Sequence, residues 1–482
     1  MNLPERIVSL RDIIATSNVR FGTSGARGLV VDMTDEVCFA YTLAFLKVIN
    51  AKAGSSVALA IDLRPSSPSI AAACAAAIEC AGFKVDYCGD IPTPALAYYT
   101  QQQGIPGLMI TGSHIPFDRN GIKFYAATGE ITKQDEVNIS QAIINFPQVI
   151  NLIDLPNIHL AARQMYINRY LDYFEPKSLS GMKLGFYEHS SVARDLLREL
   201  LEALGAKVIS LGRTNEFIPI DTEAVADVDI KRARKWANEH SFDAIISTDG
   251  DADRPLIGDE QGRWMRGDIV GLLCSNFLGA QVIAAPVSCN TAIEKCGSFE
   301  KVIRTRIGSP YVIAGMQQLC ESGFKKVVGF EANGGFLLGT SCVKNGRVLA
   351  SLNTRDAILP ILSLLSMMKG RGCKLSELSQ ELPARFTASD RLQHLSSDVS
   401  QQLLSDLAGS TTSMNSMFKK FGVIVSGLDQ TDGLRITFDN DEVVHFRPSG
   451  NAPELRCYAE ANDQIRAEFL ACTALKLIRK KL

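Results

Sequence analysis

The stretch Asp243-Ala-Ile-Ile-Ser-Thr-Asp-Gly-Asp-Ala-Asp-Arg254 decides the fold. Its apolar start reads as a buried strand that runs directly into an acidic, glycine-containing turn. Upstream, Met182-Lys-Leu-Gly-Phe186 reads as a strand, Val192 to Leu204 as an amphipathic helix and Ala206-Lys-Val-Ile-Ser210 as another strand. The acidic turn therefore closes an α/β unit, and the same plan recurs on either side. Before it, Val57 to Asp62 is a strand, Pro68 to Ala81 an Ala-rich helix, and Gly107-Leu-Met-Ile110 a strand running into Thr111-Gly-Ser-His114. After it, Gln281 to Ala285, a helix around Tyr311 to Cys320, and Lys326-Val-Val-Gly-Phe330 lead into Glu331-Ala-Asn-Gly-Gly335. Strands alternating with helices predict parallel sheets. In such sheets ligands gather at the carboxyl ends of the strands, so three polar loops are expected to face one cleft.

The tail has a different character. Phe421 to Val425, Gly433 to Phe438 and Glu442 to Phe446 read as short antiparallel strands, followed by a helix from Asn462 to Lys480, and Ser379 to Ser416 reads as helical. The expected architecture is three mixed α/β domains and a smaller α+β C-terminal domain around a central cleft, divided as 1–152, 153–262, 263–376 and 377–482. A chain of 482 residues, 46% hydrophobic and 21% charged, carries enough apolar surface for several cores. With 50 Lys+Arg against 52 Asp+Glu it has no global basic field for nucleic acid or an anionic membrane. Glu5, Arg6, Arg11 and Asp12 interrupt any apolar leader, and no long apolar run follows, so a cytoplasmic enzyme is expected, as a monomer or homodimer. The twelve cysteines show no zinc spacing and read as reduced thiols.

Asp249, Asp251 and Asp253 stand at i, i+2 and i+4 after a strand, where they converge. Three like charges at one point raise each other's pKa unless a cation joins them, and an oxygen-only set suits Mg²⁺. An acidic turn paired with Arg254 is the bland alternative. A calcium loop fits poorly, because Arg254 stands where the turn needs glycine and the preceding segment is strand. Thr111 to Lys123 offers Ser113 as a nucleophile, His114 as a proton carrier and Lys123 as a counter-charge, or else a plain turn. Arg447-Pro-Ser-Gly-Asn451 can wrap a phosphate with Arg447, Ser449, the Gly450 backbone and Asn451. Phe21 to Gly28 adds Arg27 in a second Gly/Ser/Arg loop, without the Gly-Lys-Ser/Thr ending of a nucleotide-binding loop. Glu331 and Asn333 pair an acceptor with an amide, as vicinal sugar hydroxyls require.

Taken in this order, the five loops resemble those of the α-D-phosphohexomutases, the phosphomannomutases and phosphoglucomutases. The resemblance implies that Ser113 carries a phosphate and that Asp249, Asp251, Asp253 and a phosphoserine oxygen hold Mg²⁺. It implies further that Arg27, Arg254 and Lys123 balance the transferring group, with Lys123 and His114 as the candidates for proton transfer. Glu331 and Asn333 would take the sugar, and Arg447, Ser449, Gly450 and Asn451 the non-reacting phosphate. The substrate would be a hexose phosphate and the intermediate and activator a hexose 1,6-bisphosphate, with no nucleotide. Three loops depart from the family pattern: Ile115 stands where Asn is usual, Asn333 and Gly335 where Ser and His are common, and Asn451-Ala452 replaces Thr-Glu. Mannose phosphate is the first expectation, with glucose and glucosamine phosphates as alternatives. An inactive sugar-phosphate-binding protein and a metal-dependent phosphatase are the readings from other classes.

Overall fold

The computed structural model describes residues 5–22, 25–52, 54–448 and 454–482. Strand Ser56–Ile61 has every side chain from Val57 onward buried, as a strand covered on both faces must. It pairs in parallel with Lys84–Asp90 on one side and Gly107–Ile110 on the other. Arg119–Ala126 then returns antiparallel to Gly107–Ile110, and Ala26–Leu29 extends the sheet antiparallel to that. The second sheet sets Lys207–Leu211, Lys183–Tyr187 and Ala244–Thr248 in parallel and closes with antiparallel Pro255–Gly258. The third does the same with Lys301–Thr305, Val282–Pro286 and Val327–Phe330, followed by antiparallel Phe336–Leu338 and Leu352–Asp356.

The three sheets are therefore mixed rather than parallel throughout. Each polar loop is too short for a parallel crossover, which takes a dozen or more residues, so the chain turns back beside its own strand. The 111–118, 249–254 and 331–335 loops thus occupy one position in three copies of one plan, between the last parallel strand and its antiparallel return.

The C-terminal sheet is antiparallel, in the order Phe386–Gln393, Glu454–Ala461, Val443–Pro448, Leu434–Phe438 and Val425–Asp429. Helix Gln464–Arg479 covers it, capped by the Asp463 carboxylate accepting the Arg466 N–H. Two expectations need correction. The stretch expected to be helical from Ser379 to Ser416 contains the strand Phe386–Gln393, stabilised by its pairing with Glu454–Ala461. The expected strand Phe421 to Val425 begins only at Val425, because Lys419–Phe421 is a 3₁₀ turn ended by Gly422 at φ 74°.

One apolar cluster, running from Ala58 to Leu378, joins all three α/β sheets, whereas the C-terminal core from Leu392 to Ile478 is separate. Among the described residues, no helix is long and apolar enough to cross a membrane.

Candidate active site

Ser113 lies at the carboxyl end of Gly107–Ile110 in left-handed backbone, φ 53°, a conformation that costs a non-glycine residue roughly 1–3 kcal/mol. The surroundings fix it there. Arg64 is 1% exposed, and its guanidinium donates to the carbonyls of Ser113, Ile115, Pro116 and Arg119 at 2.5–2.9 Å. The Thr111 hydroxyl accepts the Ser113 N–H at 2.8 Å and donates to Asp62 Oδ2 at 2.7 Å. Phe217, from the second α/β unit, lies 4.1 Å from the Arg64 guanidinium.

The metal-type loop meets the serine loop directly. Ser113 Oγ donates to Asp249 Oδ2 at 2.7 Å. A Cβ at Gly250 would stand 2.9 Å from the Ser113 carbonyl oxygen, so only glycine permits this approach. Asp249, Asp251 and Asp253 are all buried, with one oxygen from each within 4.8 Å of the others. Lys123 Nζ donates to Asp251 Oδ2 and Asp253 Oδ2, both at 2.7 Å. The burial does not match a solvated acidic turn, although Arg254 Nε does form an ion pair with Asp253 Oδ1 at 3.6 Å. Burial, then the charges of Asp251 and Asp253, push the Asp249 carboxyl far above the usual carboxylate range. Asp253 falls below that range despite its burial, because Arg355, Lys123 and Arg254 surround it.

The unpaired buried atoms indicate what the site is built to hold. Asp251 Oδ1 and Asp253 Oδ1 are acceptors without hydrogen-bond partners among the described residues, which fits a hard cation bound through oxygen. Arg27 Nε and Arg254 Nε are donors without hydrogen-bond partners among the described residues, which fits an anion. Desolvation, then Arg254 and Arg355, lower Arg27 to about 10. His114 Nδ1 is 3.3 Å from Ser113 Oγ. Desolvation, with Arg254 and Arg27 nearby, drives its pKa well below the ordinary histidine value. The neutral ring can accept a proton from the hydroxyl it faces.

Glu331 and Asn333 are buried at 3% and 6% exposure on the third loop. Arg447 stands 3.0 Å from Asp432 Oδ2, which also accepts the Ile307 N–H. Ser449, Gly450 and Asn451 lie outside the described residues. A cavity of about 300 Å³ separates Asp221 and Glu223 of the second unit from Arg391, Arg456 and Tyr458 of the C-terminal sheet.

Sequence reasoning missed four residues that complete this arrangement. Thr93 Oγ1 donates to Asp251 Oδ2 at 2.6 Å, Asp62 and Arg64 hold the serine loop, and Arg355 bridges Asp253 and Glu331. The first three follow the strands Lys84–Asp90 and Ser56–Ile61 at their carboxyl ends. The positional rule that singled out the other loops applies to them equally. Arg355 gave no comparable signal.

Sequence profiles describing α/β/α domains I, II and III of phosphoglucomutase/phosphomannomutase match residues 18–147, 164–262 and 266–386. The chain belongs to the α-D-phosphohexomutase family. A phosphomannomutase of Salmonella muenchen is 50% identical over 99% of both chains. A phosphomannomutase of Sinorhizobium fredii is 43% identical over 96% of this chain and 99% of its own. The crystal structure of a phosphoglucomutase/phosphomannomutase family protein from Burkholderia thailandensis superposes with a TM-score of 0.73 at 20% identity, covering 95% of this chain and 97% of that one. This phosphohexomutase therefore has three family α/β/α domains and a further C-terminal domain.

Proposed function

We propose that this phosphohexomutase interconverts mannose 6-phosphate and mannose 1-phosphate in the cytoplasm through a phosphorylated Ser113. The observation that carries the reading is the Ser113 hydroxyl at 2.7 Å from Asp249, inside a buried carboxylate triad already bonded to Lys123. Charge supports it: a divalent cation and a phosphoserine of roughly −2 charge would enter together with no net change in the charge of the site. Mg²⁺ would be held by Asp249, Asp251 and Asp253, and would supply neutralisation of the charge on the transferring phosphoryl group.

This chain's residues then divide the work. The Ser113 oxygen–phosphorus bond breaks as a sugar hydroxyl oxygen bonds to the same phosphorus. The sugar hydroxyl gives its proton to the neutral His114 ring, and Lys123, the cation between Asp251 and Asp253, donates a proton as Ser113 is restored to its alcohol. Reversal with the other phosphate of the hexose 1,6-bisphosphate completes the exchange, so no nucleotide is consumed. Arg27 and Arg254 offer their unpaired N–H donors to the moving group. Glu331 and Asn333 take sugar hydroxyls, and Arg447 with Ser449, Gly450 and Asn451 takes the stationary phosphate. In this reading the domains divide near residues 152, 262 and 376; the first contributes the Arg27 and Ser113 loops and each of the others one loop.

The experiment is a panel of mannose, glucose and glucosamine 6-phosphates with Mg²⁺ and a trace of hexose 1,6-bisphosphate, read as isomer ratios by phosphorus NMR. Mannose 6-phosphate should give the largest kcat/KM. Equal values for glucose and mannose remove the mannose assignment, and release of inorganic phosphate faster than isomerisation makes the protein a phosphatase.

A further inference from the structure

Arg355 is the penultimate residue of the strand Leu352–Asp356 and is 2% exposed. Its Nε donates to Asp253 Oδ2 at 3.0 Å and its Nη1 to Glu331 Oε2 at 3.0 Å. One guanidinium thus joins the metal-type loop to the sugar-type loop. The room for it comes from Gly335. A Cβ on that glycine would lie 2.5 Å from Arg355 Cδ, 2.7 Å from Cγ and 3.1 Å from Cβ. The contacts reach the root of the side chain, so a small shift of its tip cannot relieve them. Position 335 is among the departures from the family pattern, and the stem of Arg355 lies against it.

The sugar loop is correspondingly committed. Asn333 Oδ1 accepts the Gly335 N–H at 2.9 Å, the Asn333 carbonyl accepts the Thr222 hydroxyl at 2.7 Å, and Glu331 Oε2 is taken by Arg355. Glu331 Oε1 and Asn333 Nδ2 have no hydrogen-bond partner among the described residues. They are one acceptor and one donor on the same loop, the complement of neighbouring sugar hydroxyls.

We propose that Arg355, seated against Gly335, is a positioning residue for the sugar: it fixes Glu331 Oε1 toward the sugar while sharing Asp253 with the cation. The proposal rests on the phosphohexomutase reading above and names how that site recognises its sugar. It predicts opposite effects on sugar and cation. Losing the guanidinium loosens Glu331 and weakens sugar binding, but it also removes a positive charge from Asp253 and so favours a divalent cation.

The test uses the full chain as wild type, R355K, R355Q and G335A. Two readouts are needed: kcat and KM for mannose 6-phosphate, and Mn²⁺ binding without sugar, followed by electron paramagnetic resonance of the free ion. R355K and G335A should raise KM about ten-fold and lower kcat less than about three-fold, because the lost interaction is one of binding. R355Q should raise KM further and bind Mn²⁺ more tightly than wild type. KM within two-fold of wild type in both R355K and G335A overturns the proposal. So does Mn²⁺ binding that weakens in R355Q alongside sugar, which is the behaviour of a structural prop. A wild type that moves no phosphate between hydroxyls removes the assigned reaction instead, and the Mn²⁺ measurement still decides the role of Arg355.

Discussion

The three α/β units and the C-terminal unit are assembled by different physics. The first three share one apolar cluster from Ala58 to Leu378, and their loops are tied by buried polar contacts: Ser113 to Asp249, Thr93 and Lys123 to Asp251, Arg355 to Asp253 and Glu331. The C-terminal unit keeps its own core and meets the rest through polar groups. Arg385 donates to the Thr291 hydroxyl and Glu460 accepts the Thr291 N–H; Asn290 donates to the Arg385 carbonyl; Arg306 and Ile307 donate to the Thr431 carbonyl and to Asp432. Close-packed apolar interfaces resist sliding, whereas polar junctions exchange with water at little net cost. The serine, metal-type and sugar-type loops are therefore preassembled on one core, and under the proposed function the C-terminal unit, joined through a separate polar seam, would hold the second phosphate.

The largest effect expected from this contrast lies at Lys123. Lys123→Met removes the cation between Asp251 and Asp253, and activity should fall by about 10²–10³-fold. Without divalent cation the variant should lose roughly 3 kcal/mol of stability, the cost of breaking a buried ion pair. Chemical denaturation should show Mg²⁺ restoring more stability to the variant than it adds to wild type. Equal Mg²⁺ increments in the two proteins would detach Lys123 from the cation site.

Each region carries one buried histidine that links its stability to pH. His189, beside the Asp249 strand, donates Nε2–H to the Thr248 carbonyl while Nδ1 is buried without a hydrogen-bond partner among the described residues, and burial lowers its pKa to about 4. Burial lowers His445 in the C-terminal sheet to about 4 as well. Between these values and the unfolded value of 6.5, the unfolded chain binds more protons than the folded one. Stability is therefore present in full above pH 6.5 and erodes as pH falls toward 4, by about 2 kcal/mol per histidine at pH 5. If the regions unfold as separate units, calorimetry from pH 7 to pH 5 should show two transitions. His189→Gln should flatten the pH dependence of one and His445→Gln that of the other. A single transition moved by both variants would erase the contrast.

The smallest effect is expected at the joint itself. Asp432→Asn weakens the hold on Arg447, and steady-state kinetics should show KM changed by no more than about three-fold with kcat retained. A kcat loss beyond about ten-fold would mean that the C-terminal unit participates in the chemical step.

The parts legible in the sequence were those where charge follows an apolar strand without a break. Ser113 and Asp249 to Asp253 stand out for this reason, and the structure brings them together as the carboxyl-end rule requires. Arg355 was not legible, because Leu352-Asn-Thr-Arg-Asp356 is polar at four consecutive positions and its strand owes its place to pairing with Phe336–Leu338. Phe386–Gln393 was hidden likewise: it is an edge strand, largely exposed, with Ser389, Asp390 and Arg391 in its middle. In such segments tertiary pairing overrides local pattern. The bridging role of Arg355 also depends on a glycine twenty residues earlier, a relation visible only in three dimensions.

The most direct test of the central claim is intact-mass measurement of the purified protein before and after one equivalent of mannose 1-phosphate, with Ser113→Ala alongside. The account predicts one phosphate on the wild type, lost to the sugar as hexose 1,6-bisphosphate, and neither phosphate nor activity in Ser113→Ala. Isomerisation by Ser113→Ala at the wild-type rate would contradict it.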